Sequence, residues 1–474
     1  MPTTTTNPVR TAAPAVQAGP GRWLLPIILL GNVLNVVDTF VVNVALPTLT
    51  RTLHAGAAEL ELIVAGYSVA YACFLVLGGR MGDNFGRRRL FLIGMTGFTI
   101  ASAVCGLAPN ADSLIVARLV QGATAALVVP QVLAIIQVTY QGVERQRALG
   151  IFGAVMSGSA AIGQILGGVL VSANIFGLSW RPAFLINIPV GIVGIIAGRK
   201  VVPESKAPKR APIDGQGTWL LAATVILLLL PLTLGRDEHW PLWCWAMLAA
   251  APLAAAYFAY TQIRGERRGG LPLVPPSLLR SSGLRRGLAV ALAFFASFGG
   301  MMLTTTVSLQ YGLSFSPVKA GLTLAPYAIA FLIGSLMARR LAARLGRMLP
   351  VGGSVLLAIG FAGLALQAHL GYAGLTPYSL APLLIVVGLA QSVVVMPIVT
   401  IVLADVPADR TGVASGVWAT NQQISMAFGV AAIGALFFGI AGSHGYGHAT
   451  IAAELTEAAL ALGAALLAWT LPKR

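Results

Sequence analysis

Fourteen apolar stretches follow one another along this chain, at approximately 23–48, 60–80, 88–108, 112–138, 147–173, 180–199, 216–235, 241–262, 286–311, 317–338, 349–370, 377–403, 411–441 and 453–471. No other feature limits the fold so strongly. About 20 apolar residues of helix span a bilayer core of ~30 Å. Lipid offers no partner to a backbone N–H or C=O, so a spanning segment must be helical or part of a closed barrel. These stretches are about twice the length of a barrel strand, which predicts an all-α polytopic membrane protein with fourteen transmembrane helices. Composition agrees, with 57% hydrophobic and 10% charged residues against roughly 25% charged in soluble domains. A net charge of +16 would suggest nucleic acid in a soluble chain. Here the charge follows the loops, and no nucleic-acid partner is expected.

An even number of spans puts both termini on one side. Lys and Arg concentrate in cytoplasmic loops, which places the N-terminus and the loops after even-numbered spans in the cytoplasm. Of 31 Lys and Arg, only Arg51, Arg181, Arg236 and Lys319 then lie outside, and Arg118 lies within a span. The setting is a cell membrane, crossed many times. Residues 1–21 have no apolar core of their own and read as a disordered cytoplasmic tail. Polar linkers at 201–215 and 263–285 bracket two extra helices, 216–262. They divide the chain into an N-terminal six-helix bundle, 22–200, and a C-terminal one, 286–474. An internal echo supports the division. At an offset of 260 residues Met81 meets Leu341, Gly86 meets Gly346 and Arg87 meets Arg347, while Ala343 stands opposite Asp83. A weaker echo pairs GLAQSVVVMP with VQGATAALVVP. Such repeats build transporters from two bundles with a site between them at the midplane. The cysteines (Cys73, Cys105, Cys244) have no CxxC spacing, so no disulfide framework is implied. His444 and His448 have metal-like spacing but sit in a glycine-rich stretch read as a loop, and no metal site is expected.

The first span carries Asp38 near its middle, on one arc with Asn32, Asn35, Thr39 and Asn43. A carboxylate at that depth costs about 2.5–3.5 kcal/mol even on a lenient insertion scale, so this arc faces other helices or a wet cavity. Asp38 is either a structural acid bonded to a neighbouring helix or a group that takes up and releases a proton or cation. It is the only acid that the hydropathy pattern places deep in a span. Arg118 lies one to two turns inside the fourth span, and a guanidinium stays charged. Either it pairs with Asp38, directly or through water, or it snorkels to the interface or caps carbonyls.

Between the second and third spans the chain reads GGRMGDNFGRRR. Glycines at 79, 82 and 86 allow a tight turn and close approach of helix ends. Asp83 can accept hydrogen bonds from a helix N-terminus or pair with arginine. The stretch resembles the signature loop of the major facilitator superfamily, with Asn84 where the family has a basic residue. The resemblance implies a cytoplasmic latch formed by Gly79, Asp83, Gly86 and Arg87. RLVQGATAA resembles that family's fourth-helix motif. This implies a proton-coupling role for Arg118, shared with Asp38 and supported by Gln121 and Gly122. In the fifth span, SAAIGQILGGVLV places Gly163, Gly167 and Gly168 at helix-packing spacing. It resembles the family's antiporter motif, with Gln164 in place of the proline and Ser159 in place of the leading glycine. VVDTFVVNVALPTL, WRPAFLINIPVGI and SFSPVKAGLTLAPYA are similar to the fourteen-helix drug:proton antiporter branch.

In the C-terminal half Ser415, Trp418, Asn421, Gln422 and Ser425 form a polar and aromatic stripe, with Gln391 in the preceding span. Such groups act as interhelical glue or as ligands, and both roles stay open. Asn35, Gln121, Gln391, Trp418, Asn421 and Gln422 are the candidate substrate contacts. No Walker-type GxxxxGK[ST] and no catalytic constellation are present, so neither ATP nor enzyme chemistry is expected, and no cofactor beyond protons as coupling ion. The sequence reads as a secondary active transporter. It would export hydrophobic drugs or antibiotics against protons by alternating access, as a monomer in the bilayer. A proton symporter importing a nutrient, and a membrane sensor or assembly protein that moves nothing, are the alternatives.

Overall fold

The computed structural model describes residues 21–55, 57–173, 177–206, 214–235, 238, 240–270, 272–404, 406–407 and 410–471. The N-terminal tail, most of the first linker, the side chain of Gln164 and the surroundings of Gly168 lie outside that description. The described residues form helices and no strand. In chain order these are α1 (Leu24–Leu53), α2 (Ala57–Phe85), α3 (Arg87–Gly106), α4 (Ala111–Thr139), α5 (Gly142–Ser172), α6 (Pro182–Leu185), α7 (Asn187–Val201) and α8 (Gly215–Leu234). There follow α9 (Leu242–Arg267), α10 (Pro276–Leu279), α11 (Ser282–Val307), α12 (Pro317–Thr323), α13 (Ala325–Leu345), α14 (Met348–Gly371), α15 (Pro377–Ala404) and α16 (Thr411–Trp469). Among the described residues, twelve segments are long and apolar enough to cross a membrane.

Prolines set two of the breaks. Pro189 has no N–H to offer Leu185, and Pro326 none to offer Leu322, so the helix is interrupted at Ile186 and again at Leu324. One segment, α16, has 59 residues, and a straight helix of that length would extend about 90 Å. It is a hairpin instead. Gly445 has φ 80° and ψ 167°, a conformation open to glycine, and the Phe437 and Tyr446 rings meet across the bend at 6.2 Å. Both ends of α16 return to the same end of the molecule. Arg410 Nη1 donates to Ser277 Oγ at 2.9 Å, and nearby Arg286 Nη1 donates to the Thr470 carbonyl at 2.5 Å.

Helices α1, α2, α3, α4, α5 and α7 form one packed group, with α5 on α1 and α7 on α1 and α3, while α11, α13, α14, α15 and α16 pack together. The two groups meet where α2 lies on α16 and α5 on α13, and α8 with α9 leans on α2 and α16. The internal echo has a structural counterpart. A Cβ on Gly122 would strike the Tyr67 carbonyl, and one on Gly388 would strike the Tyr327 carbonyl, so the same close crossing recurs in each group. Four residues before these glycines stand Arg118 in one half and Leu384 in the other. The charge is on one side only.

Candidate functional site

Asp38 sits mid-helix in α1 with no exposed surface. Arg118 reaches it from α4, with Nη1 2.5 Å from Asp38 Oδ2, so the two charges foreseen as partners are in direct contact. The guanidinium is held on every side. Its Nε donates to the Ile63 carbonyl at 3.0 Å and its Nη1 also to Gln121 Oε1 at 2.7 Å. Its Cζ lies 4.2 Å from the centre of the Tyr67 ring, a cation–π contact that strengthens when water is excluded. The other carboxylate oxygen, Oδ1, accepts from Gln121 Nε2 at 2.9 Å and Asn187 Nδ2 at 2.8 Å. Ser102 Oγ on α3 then accepts from Gln121 at 2.8 Å and Asn187 at 3.3 Å. A buried ion pair is stable only when such bonds satisfy its remaining lone pairs and protons, and here five helices supply them or pack against them.

Gln121, a candidate substrate contact, uses both ends of its amide inside this network. Asn35 accepts from the Tyr67 hydroxyl at 3.1 Å, which links it to the ring under Arg118. Asn187, Ser102 and Tyr67 were not singled out from sequence. Asn187 lies in LINIPVG, where the Pro189 break makes it the first residue of α7 and turns its amide toward Asp38.

The stretch expected as a loop from Gly78 to Phe91 is helical, and only Gly86, at φ 110°, interrupts it between α2 and α3. Burial explains the helix. Asp83 and Arg87 form an i,i+4 ion pair at 2.7 Å, and Asp83 also accepts from the backbone N–H of Gly412 and of Val413, each at 3.2 Å. These are the first amides of α16, the positive end of its dipole. Asp83 thus does both things the sequence allowed, and joins the two halves of the molecule. Gly79 and Gly412 permit the contact, since a Cβ on either would collide with the carbonyl of the other. Glu204 lies over Gly86, and the Ser205 carbonyl accepts from Arg87 N at 2.8 Å, so the start of the first linker docks here too.

In α5, Gly163 faces α1, where an added Cβ would stand 3.0 Å from the Val37 carbonyl. Gly167 is buried. In the other half Gln391 is buried, accepting from the Tyr327 hydroxyl at 2.6 Å and facing Met301 Sδ at 3.5 Å. Trp418 packs edge-on against Phe295 at 5.8 Å. Asn421 donates to the Leu288 carbonyl at 3.3 Å, and Gln422 beside it is half-buried. These groups are not part of the Asp38 network.

One expectation fails. Asp38 is not the only acid deep in a helix, because Glu454 and Glu457 on the returning arm of α16 are 4% and 0% exposed. Hydropathy starts the last span at 453, which would leave both acids at its edge. The helix resumes at Tyr446, however, and buries them.

The family profile of the Major Facilitator Superfamily matches residues 28–430. A probable actinorhodin transporter of Streptomyces coelicolor is 39% identical over 424 residues, 89% of this chain and 73% of the relative. The tetracenomycin C resistance and export protein of Streptomyces glaucescens is 32% identical, over 90% of this chain and 77% of its own. A puromycin resistance protein of Streptomyces alboniger is 32% identical over 98% of this chain and 94% of its own. Among solved structures, a human organic anion transporter superposes with a TM-score of 0.69 at 18% identity, over 95% of this chain and all of its own. A proton:xylose symporter gives 0.68 at 15% identity, over 95% of each chain. At such identities the likeness is one of fold.

Proposed function

The chain belongs to the Major Facilitator Superfamily, and from that premise we propose that it exports lipophilic antibiotics or related drugs across the cell membrane in exchange for protons. The direction and substrate class rest on its relatives, one named a probable actinorhodin transporter, one for tetracenomycin C resistance and export, and one for puromycin resistance. The proton coupling rests on one observation, the Asp38–Arg118 network buried in the first group of helices.

As arranged, both Asp38 oxygens accept and every neighbour donates. A carboxyl that gains a proton must itself donate, and here it has nothing to donate to. Proton uptake therefore requires that Arg118, Gln121 or Asn187 move off the carboxylate. Since those side chains stand on α4 and α7, a change of protonation becomes a change of helix packing. The closed end, where Asp83 grips α16, is one of two alternating states. In the other, α16 leaves Asp83 and the Asp38 site changes the side to which it opens. Protons are the coupling ion, no bound cofactor is required, and one chain in the bilayer suffices. Each charge crossing 100 mV supplies about 2.3 kcal/mol, a concentration ratio of roughly fifty.

We place fourteen crossings in this protein, counting α5 and both arms of α16, with the arginine-rich end and both termini in the cytoplasm. The test uses proteoliposomes under an inward proton gradient, a panel of antibiotics and lipophilic dyes, and a pH indicator inside. Substrate-dependent proton movement that Asp38→Asn removes is the expected result. Full exchange by that variant at equal incorporation would sink the mechanism. Accumulation of substrate down the proton gradient would make the protein an importer.

A further inference from the structure

Tyr446, Thr450, Glu454 and Glu457 recur at three- and four-residue spacing on the returning arm of α16, and so share one face. That face packs on α11 and α14. Neither glutamate makes an ion pair among the described residues, and Oε2 of each is buried without a hydrogen-bond partner. Glu454 borders a cavity of about 30 Å³, lined also by Thr305, Ser308 and Thr450 and otherwise by leucine and alanine side chains. That is room for a water molecule. A hydroxyl file leads outward from it. Thr450 Oγ1 and the Tyr372 hydroxyl each lie 2.8 Å from Ser308 Oγ, and half-buried Tyr372 stands at the end of α14 away from the Asp83 latch. Ser308 opens a π-helical stretch, Ser308–Gly312, that continues α11, and such irregular turns collect at functional sites.

Hydrogen-bond accounting shows how the pair can exist. Thr304 Oγ1 is 3.1 Å from Glu457 Oε1 and 3.1 Å from the Gly300 carbonyl. Its single proton serves one of them. With that proton on the Gly300 carbonyl, a protonated Glu457 donates to Thr304, and the Gly300 carbonyl, the Thr304 hydroxyl and Glu457 Oε1 each have a partner. Two buried carboxylates with no cation would instead carry the full cost of unpaired buried charge. The titratable side chains facing this file from the surrounding elements are Tyr372 and Tyr446. His369, His444, His448 and Lys319 are exposed around its mouth, and Arg285 and Arg286 lie at the other end of α11.

We infer that Glu454 and Glu457 form a second proton-binding site, separate from Asp38, whose carboxyls hold dissociable protons. They exchange them with the end of the molecule opposite the latch, through the water-sized cavity and the hydroxyls of Thr450, Ser308 and Tyr372. The site would give the C-terminal half a proton load of its own. Movement of a proton here is a transfer between carboxyl, water and hydroxyl oxygens, with no redox change.

The test is an infrared titration of the full chain in lipid nanodiscs. Expected is a protonated-carboxyl stretch that fades as pH rises, is diminished in Glu454→Gln and in Glu457→Gln, is lost in the double variant, and persists in Asp38→Asn. A band unchanged in the double variant overturns the inference. So does a wild-type spectrum with ionised carboxylates alone at every pH, and so does a glutamate signal that answers to sodium at fixed pH, which would mark a metal-cation site. If the glutamine variants fail to fold, Glu454→Asp and Glu457→Asp decide, since each keeps an acid and should shift the band; an unshifted band again overturns the site. No substrate is needed, so failure here leaves the export reading standing.

Discussion

At Asp38 three donors converge on two oxygens, and each contributes differently. Arg118 neutralises the charge while also binding the Ile63 carbonyl and Gln121. A lysine has no planar fork with which to hold three partners at once. Arg118→Lys should therefore keep the net charge and lose most of the function: substrate-driven proton movement in proteoliposomes falls tenfold or more at equal incorporation. Asn187 donates one bond, and hydrogen bonds to charged groups contribute about 1.5–3 kcal/mol. Asn187→Ala should slow coupled exchange about tenfold without preventing folding. A purely structural asparagine would instead lower thermal stability and leave the protons moved per substrate unchanged. Asp38 and Arg118 were legible in the sequence because a lone charge in an apolar run must find a partner. Asn187 was not, because an asparagine two residues before a proline reads as an ordinary helix start. Pro189 fixes the α6–α7 break, but that the amide of Asn187 then meets Asp38 depends on how α7 packs against α1, which a single sequence does not display. Ser102 and Tyr67 were invisible for a simpler reason, since a serine and a tyrosine are common in any membrane helix.

The contact between α2 and α16 is set by backbone proximity more than by charge. Gly412 has the Asp83 carboxylate 2.7 Å from where a Cβ would stand, and the Gly79 carbonyl closer still. Gly412→Ala must push α16 off α2, whereas Asp83→Asn leaves the fit and removes the ion pair with Arg87. Both should shift the population away from the closed end. A cysteine placed at buried Ser415 reports this, because Cys73, Cys105 and Cys244 are themselves buried. Its reaction with a water-soluble maleimide should accelerate at least tenfold in Gly412→Ala, matching about 1.4 kcal/mol lost from the closed state. Asp83→Asn should give a smaller acceleration. Equal rates in all three proteins would mean that α2 and α16 do not part during opening. On the α2 side the residues of this contact stood out by glycine spacing, one acid and a family resemblance, but Gly412 and Val413, the partners of Asp83 on α16, did not. Nothing in GGRMGDNF points to the start of a helix more than 300 residues later. The reversal within α16 was legible as the glycine-rich gap between the spans at 411–441 and 453–471, but its shortness was not: only Gly445 leaves helical geometry, so the helix resumes earlier than window-averaged hydropathy places it and buries Glu454 and Glu457.

Across the molecule, the proposed orientation rests on charge and on topology together. Arg87–Arg89, Arg199, Arg286, Arg347 and Arg410 all gather at the latch end, several of them on backbone carbonyls. Arg88 reaches the Arg199 carbonyl at 2.5 Å, and Arg347 the carbonyls of Trp469 and Leu471 at 3.2 and 3.3 Å. An arginine that caps the last carbonyls of a helix also opposes its translocation, because positive charge is retained on the cytoplasmic side. The reversal at Gly445 decides the parity of the chain. If α16 crossed once, Thr411 and Trp469 would lie on opposite faces. As a hairpin it returns Thr470 to Arg286 and leaves only the bend near His444 on the far face. A reporter enzyme active only outside the cytoplasm should therefore be active when inserted after Ser443, and inactive when fused after Leu471 or joined ahead of Trp23. Activity after Leu471 would make the count odd and move the C-terminus outside. Activity after Leu471, ahead of Trp23 and next to Gly86, with none after Ser443, would invert the whole molecule. Asp38 would then take its protons through the latch end, and the proton gradient would drive import in place of export.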